Sequence, residues 1–312
     1  MAQTIKANWG EADIPDQTGK VILITGANSG LGYEATRMLA GKGAHVIMAC
    51  RDAAKADAAV AEIRKGWPTG RMDVIALDLA DLDSVAGAAE RVKALGVSRI
   101  DVLINNAGVM MPPKRLTTKQ GFELQFGSNF LGHFALTRTL FPLIAANGRI
   151  VNVASIADRR GDIRWDDLQW TTAYNPSASY GQSKTANLLF NLGLTERLAK
   201  AGSGITAVAA HPGVAVTNLA NNSILGRWLW LLKPMVALGI GPKSHSAAKG
   251  ALPEVYAATA EIEPGAYYGP ADRFTGPPAR AEKDRSAHSA DAQSAERLWA
   301  IGEQLTGAPF KI

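Results

Sequence analysis

Tyr180 and Lys184 stand four residues apart in the helical pattern Tyr180-Gly181-Gln182-Ser183-Lys184, so phenol and ammonium share one helix face. A free phenol titrates at about pH 10, and a neighbouring positive charge favours the phenolate, which makes the pair a usable acid or base nearer neutrality. Taken alone, such a pair is as compatible with surface decoration as with catalysis. Ser155 adds context, because it ends the apolar run Val151-Asn152-Val153-Ala154, where a hydroxyl can hydrogen-bond a substrate carbonyl and stabilise its developing charge. Asn129, set among Phe126, Phe130 and Leu131, reads either as a satisfied core amide or as the holder of a water in a proton relay.

These groups need a common edge, and the segment Thr25-Gly26-Ala27-Asn28-Ser29-Gly30-Leu31-Gly32 supplies one. It follows the apolar run Val21-Ile22-Leu23-Ile24. A strand entering a Gly-rich turn that opens a helix presents backbone N–H groups at a positive helix end, which holds a dinucleotide pyrophosphate. Gly26, Asn28, Ser29, Gly30, Leu31 and Gly32 are therefore candidate cofactor contacts, although glycines also serve ordinary tight turns.

Strand-like runs recur at Val21 to Thr25, His45 to Ala49, Met72 to Leu77, Ile100 to Asn105, Arg149 to Ala154 and Ile205 to Ala210. Helical segments alternate with them at Leu31 to Ala40, Ala53 to Arg64, Leu82 to Ala94, Phe122 to Leu143 and Ala178 to Lys200. This alternation implies right-handed crossovers and a single-domain, Rossmann-type, doubly wound α/β fold with a parallel sheet and helices on both faces. The rhythm then changes to a Leu- and Trp-rich stretch, a helix-like Ser244 to Ala260, the run Ala266-Tyr267-Tyr268 and a last helix, Ala292 to Gln304. Residues 1–312 are expected to form one domain, with 1–18 as an N-terminal extension, 218–245 as a small helical substrate lobe and 269–290 as a surface loop.

Three strand ends carry further polar groups. Strand two ends Ala49-Cys50-Arg51-Asp52, about 20 residues past the glycine turn, where a dinucleotide fold usually sets an acid on the ribose 2′-OH. Here Cys50 replaces the acid and Arg51 follows; a guanidinium fork suits a 2′-phosphate, which predicts NADP(H) rather than NAD(H). The alternative is a solvent-facing Arg51 beside an N-capping Asp52. Asp78, followed by Leu79, can accept from the adenine amino group or cap a helix. Asn106, Ala107 and Gly108 follow strand four on the same edge.

Composition narrows the function classes. The 33 Lys and Arg against 28 Asp and Glu give a net charge of +5, but the cations are scattered, which favours a cofactor pocket or solvated surface over nucleic acid. The five histidines show no metal spacing, so no metal is expected. The lone Cys50 cannot form an internal disulfide and reads as a buried small hydrophobe in a reducing compartment, with the cytoplasm expected. Residues 1–19 hold no apolar signal-like run, and the stretch from Ile224 to Ile240 is broken by Arg227, Lys233 and Pro234, leaving it able to lie on a membrane but poorly suited to span one. Within it, Trp228, Trp230, Leu231 and Leu232 suit a substrate mouth, a membrane surface or a packed helix. Leu140, Ile144 and Leu188 read as core or subunit interface.

As an ordered set, Thr25-Gly26-x-x-x-Gly30-x-Gly32, Asn105-Asn106-Ala107-Gly108, Asn129, Ser155, Tyr180-x-x-x-Lys184 and His211-Pro212-Gly213-Val214-Ala215-Val216-Thr217 resemble the short-chain dehydrogenase/reductase family from about Gly19 to Gly269. The resemblance implies that Tyr180 handles the proton, Lys184 lowers its pKa and binds the nicotinamide ribose, Ser155 orients the carbonyl and Asn129 holds a relay water. It also implies that Pro212, Gly213, Val214 and Thr217 meet the nicotinamide carboxamide. His45 to Asp52, Leu77 to Val85, Gly121 to Thr137 and Ser183 to Phe190 are similar to the retinol dehydrogenase-like branch, near the light-dependent protochlorophyllide reductases. The 25-residue step from Ser155 to Tyr180 implies an inserted loop, Asp158 to Pro176. Photochemistry is disfavoured, since Ala186 stands where the photoenzymes usually carry Cys. The expectation is an oxidoreductase acting on a small apolar carbonyl or alcohol. Its alternatives are a protochlorophyllide-type photoreductase and a non-catalytic NADPH-binding regulator. The resemblance further allows a homodimer or homotetramer through the helices after strands four and five.

Overall fold

Runs of Val, Ile, Leu and Ala buried on both faces cannot alternate inside and outside, so they pair as central parallel strands. They form β1 (Val21–Thr25), β2 (His45–Cys50), β4 (Ile100–Asn105), β5 (Ile144–Val153) and β6 (Thr206–Ala210), while the partly exposed β3 (Arg71–Ala76) pairs with β2 at the sheet edge. A short parallel pair, β7 (Ala215–Val216) with β8 (His245–Ser246), stands apart from the main sheet. The chain then adds β9 (Tyr267–Pro270) and β10 (Pro278–Arg280). The computed structural model describes residues 5–216 and 244–312. The expected substrate lobe at 218–245, with its tryptophans and Thr217, lies almost wholly outside the described residues.

The eight-stranded order is β10-β9-β6-β5-β4-β1-β2-β3, parallel throughout except for β10 against β9. Eight α-helices are described: α1 (Gly30–Gly41), α2 (Ala53–Gly66), α3 (Leu82–Ala86), α4 (Ala88–Ala94), α5 (Gly132–Leu140), α6 (Pro176–Lys200), α7 (Ala247–Thr259) and α8 (Ala292–Thr306). Leu39, Ile63 and Val255 carry α1, α2 and α7 onto one face of the sheet; Val92, Phe134, Leu189 and Leu298 carry α4, α5, α6 and α8 onto the other. The winding direction reverses between β1 and β4, and a crevice opens at their carboxyl ends, where such sheets bind ligands.

The structure corrects several readings. The continuous helix read from Leu82 to Ala94 breaks at Gly87, whose ψ of 0° ends α3 while the Arg91 guanidinium fills the space a side chain would need. The stretch from Phe122 to Leu143 contains a π-helix, Phe126–Leu131, that runs into α5. Residues 269–290 are more than a surface loop. They carry β10, and their 286–289 turn is stapled to α6 by the buried Asp158, which accepts from Ser286 N (2.7 Å), Ser289 Oγ (3.0 Å) and Thr185 Oγ1 (2.9 Å). Polar composition suggested solvent there, whereas the polar groups satisfy a buried carboxylate.

Residues 179–191 of α6 are all buried within one chain. Part of that cover is α8, whose Trp299 meets Phe134 and Phe190 at 5.2 and 5.9 Å between ring centroids. Leu140, Ile144 and Leu188 are buried in this single chain as well. Assembly through the α5 and α6 surface would therefore have to displace or build upon α8. Among the described residues, no helix is long and apolar enough to cross a membrane.

Candidate active site

Gly26 adopts a left-handed φ of +66°, open to glycine at little cost, and turns the chain from β1 toward α1. Gly32 is needed for space, because a Cβ there would stand 2.5 Å from Asn106 Nδ2 and 2.6 Å from the Gly26 carbonyl. The first turn of α1 is thereby pressed against the segments after β1 and β4. Gly32→Ala should separate them, lowering Tm by several degrees and weakening dinucleotide binding at least roughly tenfold; fluorescence titration with reduced nicotinamide dinucleotides checks this, and unchanged affinity would refute it.

Thr25 ties the same segments together. Its Oγ1 accepts from the N–H groups of Asn106 (3.0 Å) and Ala107 (2.9 Å), while Asn106 Nδ2 donates to the Thr25 carbonyl at 2.8 Å. His133 Nδ1 donates to the Asn129 carbonyl, which leaves Nε2 to accept from Thr25 Oγ1 at 2.9 Å. Burial holds His133 down to about 4, neutral in ordinary buffers. Below it, Asn105 Nδ2 donates to Asn152 Oδ1 (2.9 Å), and Asn152 Nδ2 donates to Asn191 Oδ1 (3.1 Å).

A cleft of about 960 Å³ lies over these elements. Gly26, Asn28, Ser29, Gly30 and Leu31 line it from the glycine turn, Arg51 from the end of β2, and Asp78 with Leu79 from the end of β3. Asn106, Ala107, Gly108, Tyr180, Lys184 and Pro212 line its inner part. Gly32, Asn129, Ser155, Gly213 and Val214 are not part of this lining. Asp52 does cap α2, accepting from Lys55 N at 3.1 Å, yet Arg51 faces the cleft beside it. Asp78 is no helix cap: its Oδ1 accepts from Ala80 N at 2.9 Å, and Asp81 caps α3. Cys50 is buried, and its sulfur receives the N–H groups of Ala27 and Asn28, so it supports the glycine turn from behind.

At the inner end, Ser155 Oγ accepts from Ala157 N at 3.2 Å and shares a hydrogen bond with the Tyr180 phenol. Burial holds Tyr180 above its ordinary range, and the Ser155 bond works against that. The spacing argument anticipated a lowered value from Lys184; here desolvation dominates, which leaves a protonated phenol able to donate. Lys184 Nζ lies 5.8 Å from the Tyr180 ring centroid and donates to the Val153 carbonyl at 3.0 Å. Burial also pushes the Lys184 ammonium down, opposed by Glu254. Asn129 is fully engaged as a clamp: Oδ1 accepts from Val109 N (2.8 Å), and Nδ2 donates to Val109 O (3.0 Å) and Ser183 Oγ (2.9 Å).

Sequence reasoning missed the wiring of the Pro212 segment. His211 N donates to the Tyr268 carbonyl, Val214 N to the Phe274 carbonyl, and His245 Nε2 to the Pro212 carbonyl at 2.7 Å. Buried His211 faces Asp284 at 3.7 Å, and Arg273 Nε donates to the other Asp284 oxygen at 2.6 Å. A lone histidine before Pro-Gly was the only local signal, since Tyr268 and Asp284 lie far along the chain.

Comparison with known proteins gives concordant matches. The family model described as short chain dehydrogenase matches residues 20–227. Retinol dehydrogenase 12 of Mus musculus is 42% identical over 298 residues, covering 94% of this chain and 88% of its own. Polyprenol dehydrogenase of Mus musculus is 38% identical, covering 99% of this chain and 90% of its own. The crystal structure of an uncharacterised protein from Mycobacterium paratuberculosis is 40% identical with a TM-score of 0.81, covering 98% of this chain and all of that one.

Proposed function

Because the chain belongs to the short-chain dehydrogenase/reductase family and is an oxidoreductase of its retinol dehydrogenase-like branch, acting on CH–OH and C=O groups with a nicotinamide cofactor, we propose that it uses NADP(H) on an apolar substrate. The observation that carries this reading is the division of one cleft, with Arg51 at its outer end and Tyr180 and Lys184 at its inner end, Ser155 acting on the Tyr180 phenol.

The bound cofactor would supply the hydride at its nicotinamide ring. The N-terminal turn of α1 would hold the pyrophosphate and Arg51 the 2′-phosphate. Ser155 holds the substrate carbonyl oxygen, and the Tyr180 phenol gives it a proton as the carbon is reduced; in the reverse direction Tyr180 takes the proton back. Lys184 places a positive charge beside this exchange. Asn129, clamped on Val109, fixes the strand end below it. Met110, Pro112, Leu116 and Leu124 give part of the cleft an apolar wall, which supports an apolar substrate. Relatives named for retinol and polyprenol, both apolar alcohols, point the same way.

The test is NADPH consumption followed by absorbance with retinal, a long-chain aldehyde and an aryl aldehyde. Turnover should rise with substrate apolarity. NADPH binding without turnover on any of them would instead favour a cofactor-binding regulator.

A further inference from the structure

Residues 109–116 form neither helix nor strand, yet Val109, Met110, Pro112 and Leu116 wall the cleft. A loop keeps one shape where its backbone groups find fixed partners. Two side chains four residues apart supply them. Asn129 holds both backbone groups of Val109, and Gln125 Oε1 accepts from Met111 N at 2.6 Å. Met111 has a φ of +48°, a left-handed conformation that a residue with a side chain rarely adopts and that persists only where its surroundings impose it. Its two neighbours, Met110 and Pro112, are the ones that line the cleft.

Gln125 is fully buried, and its other end reaches the helix that carries Tyr180. Nε2 donates to Ser179 Oγ at 3.0 Å and to the Pro176 carbonyl at 3.1 Å, with the Tyr174 phenol a third acceptor at 3.3 Å. Pro176 and Ser179 belong to the first turn of α6, and Ser179 directly precedes Tyr180. The Tyr174 phenol donates in turn to the Pro112 carbonyl at 3.4 Å, which closes the circuit on the loop. Gln125 is itself held in place, because the buried Glu123 carboxyl accepts from the N–H groups of Gln125 (3.0 Å) and Phe126 (2.8 Å). One amide thus ties the apolar wall to the turn that precedes the proton donor.

We propose that Gln125 is a positioning residue for substrate choice: it sets where the wall formed by Met110 and Pro112 stands relative to the Tyr180 phenol, and so favours extended apolar aldehydes and alcohols over short ones. The inference rests on the function proposed above. A short aldehyde meets Ser155 and Tyr180 and ends before the wall, whereas a long one gains affinity by laying its methylenes along it. Replacing Gln125 by Met keeps the volume and removes the amide that makes these hydrogen bonds. Met111 is then free to leave its left-handed conformation, and the wall moves with it. Gln125 bonds to neither the glycine turn nor Arg51, so the cofactor keeps its contacts.

The test compares kcat and KM for propanal and decanal in the parent, Gln125→Met and Tyr174→Phe, with NADPH saturating. Gln125→Met should raise KM for decanal roughly tenfold, the loss expected when one or two methylenes leave apolar contact, while kcat for decanal and both constants for propanal stay within about twofold. Tyr174→Phe removes one hydroxyl from a half-buried side chain and leaves Ser179 and Pro176 to Gln125, so the fold stands and KM for decanal rises about threefold. Calorimetric titration of decan-1-ol into the protein saturated with NADPH reads the wall without turnover. Decan-1-ol should bind roughly tenfold more weakly to Gln125→Met, with NADPH affinity unchanged. A parent that binds decan-1-ol yet reduces no aldehyde would refute the reaction and leave this binding comparison to decide the role of Gln125. An equal loss for both chain lengths, or parent-like decanal KM and decan-1-ol affinity in both variants, would overturn the proposal.

Discussion

Tyr180→Phe is expected to lower kcat/KM for carbonyl reduction by about three orders of magnitude while NADPH affinity stays within a few-fold. The substitution removes one oxygen from a side chain that is 6% exposed and bonded to Ser155, so the fold loses little else. Ser155 keeps its bond from Ala157 and can still meet a carbonyl oxygen, but no proton arrives when the hydride does. A variant with near-parent turnover at saturating substrate would remove Tyr180 from its role. So would an equal loss of NADPH binding, which would mean that the phenol shapes the site.

The second large effect concerns Arg51. Arg51→Ala should raise KM for NADPH at least roughly tenfold and leave KM for NADH nearly unchanged, because only the 2′-phosphate offers a charged partner to the fork. Arg51 is exposed, so the penalty should shrink as salt screens it. Asp52 and Lys55 pair with each other at 2.9 Å across the start of α2, and this local structure does not depend on Arg51. Equal changes for both cofactors, or no salt dependence, would assign the cofactor preference elsewhere.

Features written in adjacent residues were legible in the sequence. The glycine turn, the Tyr180 and Lys184 offset and the strand-end positions of Ser155 and Arg51 all follow from spacing along a strand or helix, and the sheet follows from alternation. Contacts between distant segments were not legible. Glu254 reads locally as an ordinary helix residue, and only the docking of α7 against β5 and β6 buries it. Asp158 likewise reads as a loop acid until α6 and the 286–289 turn converge on it. The helix that periodicity alone would continue breaks at Gly87, where ψ turns to 0°. For Asn129, the sequence allowed a core amide or a relay residue, and the partners of its side chain, Val109 and Ser183, became visible only in the fold.

The central claim is hydride transfer from a nicotinamide to a carbonyl carbon. NADPH carrying deuterium on both positions of nicotinamide C4, incubated with the parent protein and an apolar aldehyde, tests it in one mass measurement of the alcohol formed. One deuterium per alcohol, on the carbinol carbon, is the predicted result, with none formed by Tyr180→Phe beyond about a thousandth of the parent rate. Alcohol without deuterium, or cofactor binding with no alcohol from any aldehyde tried, would contradict it.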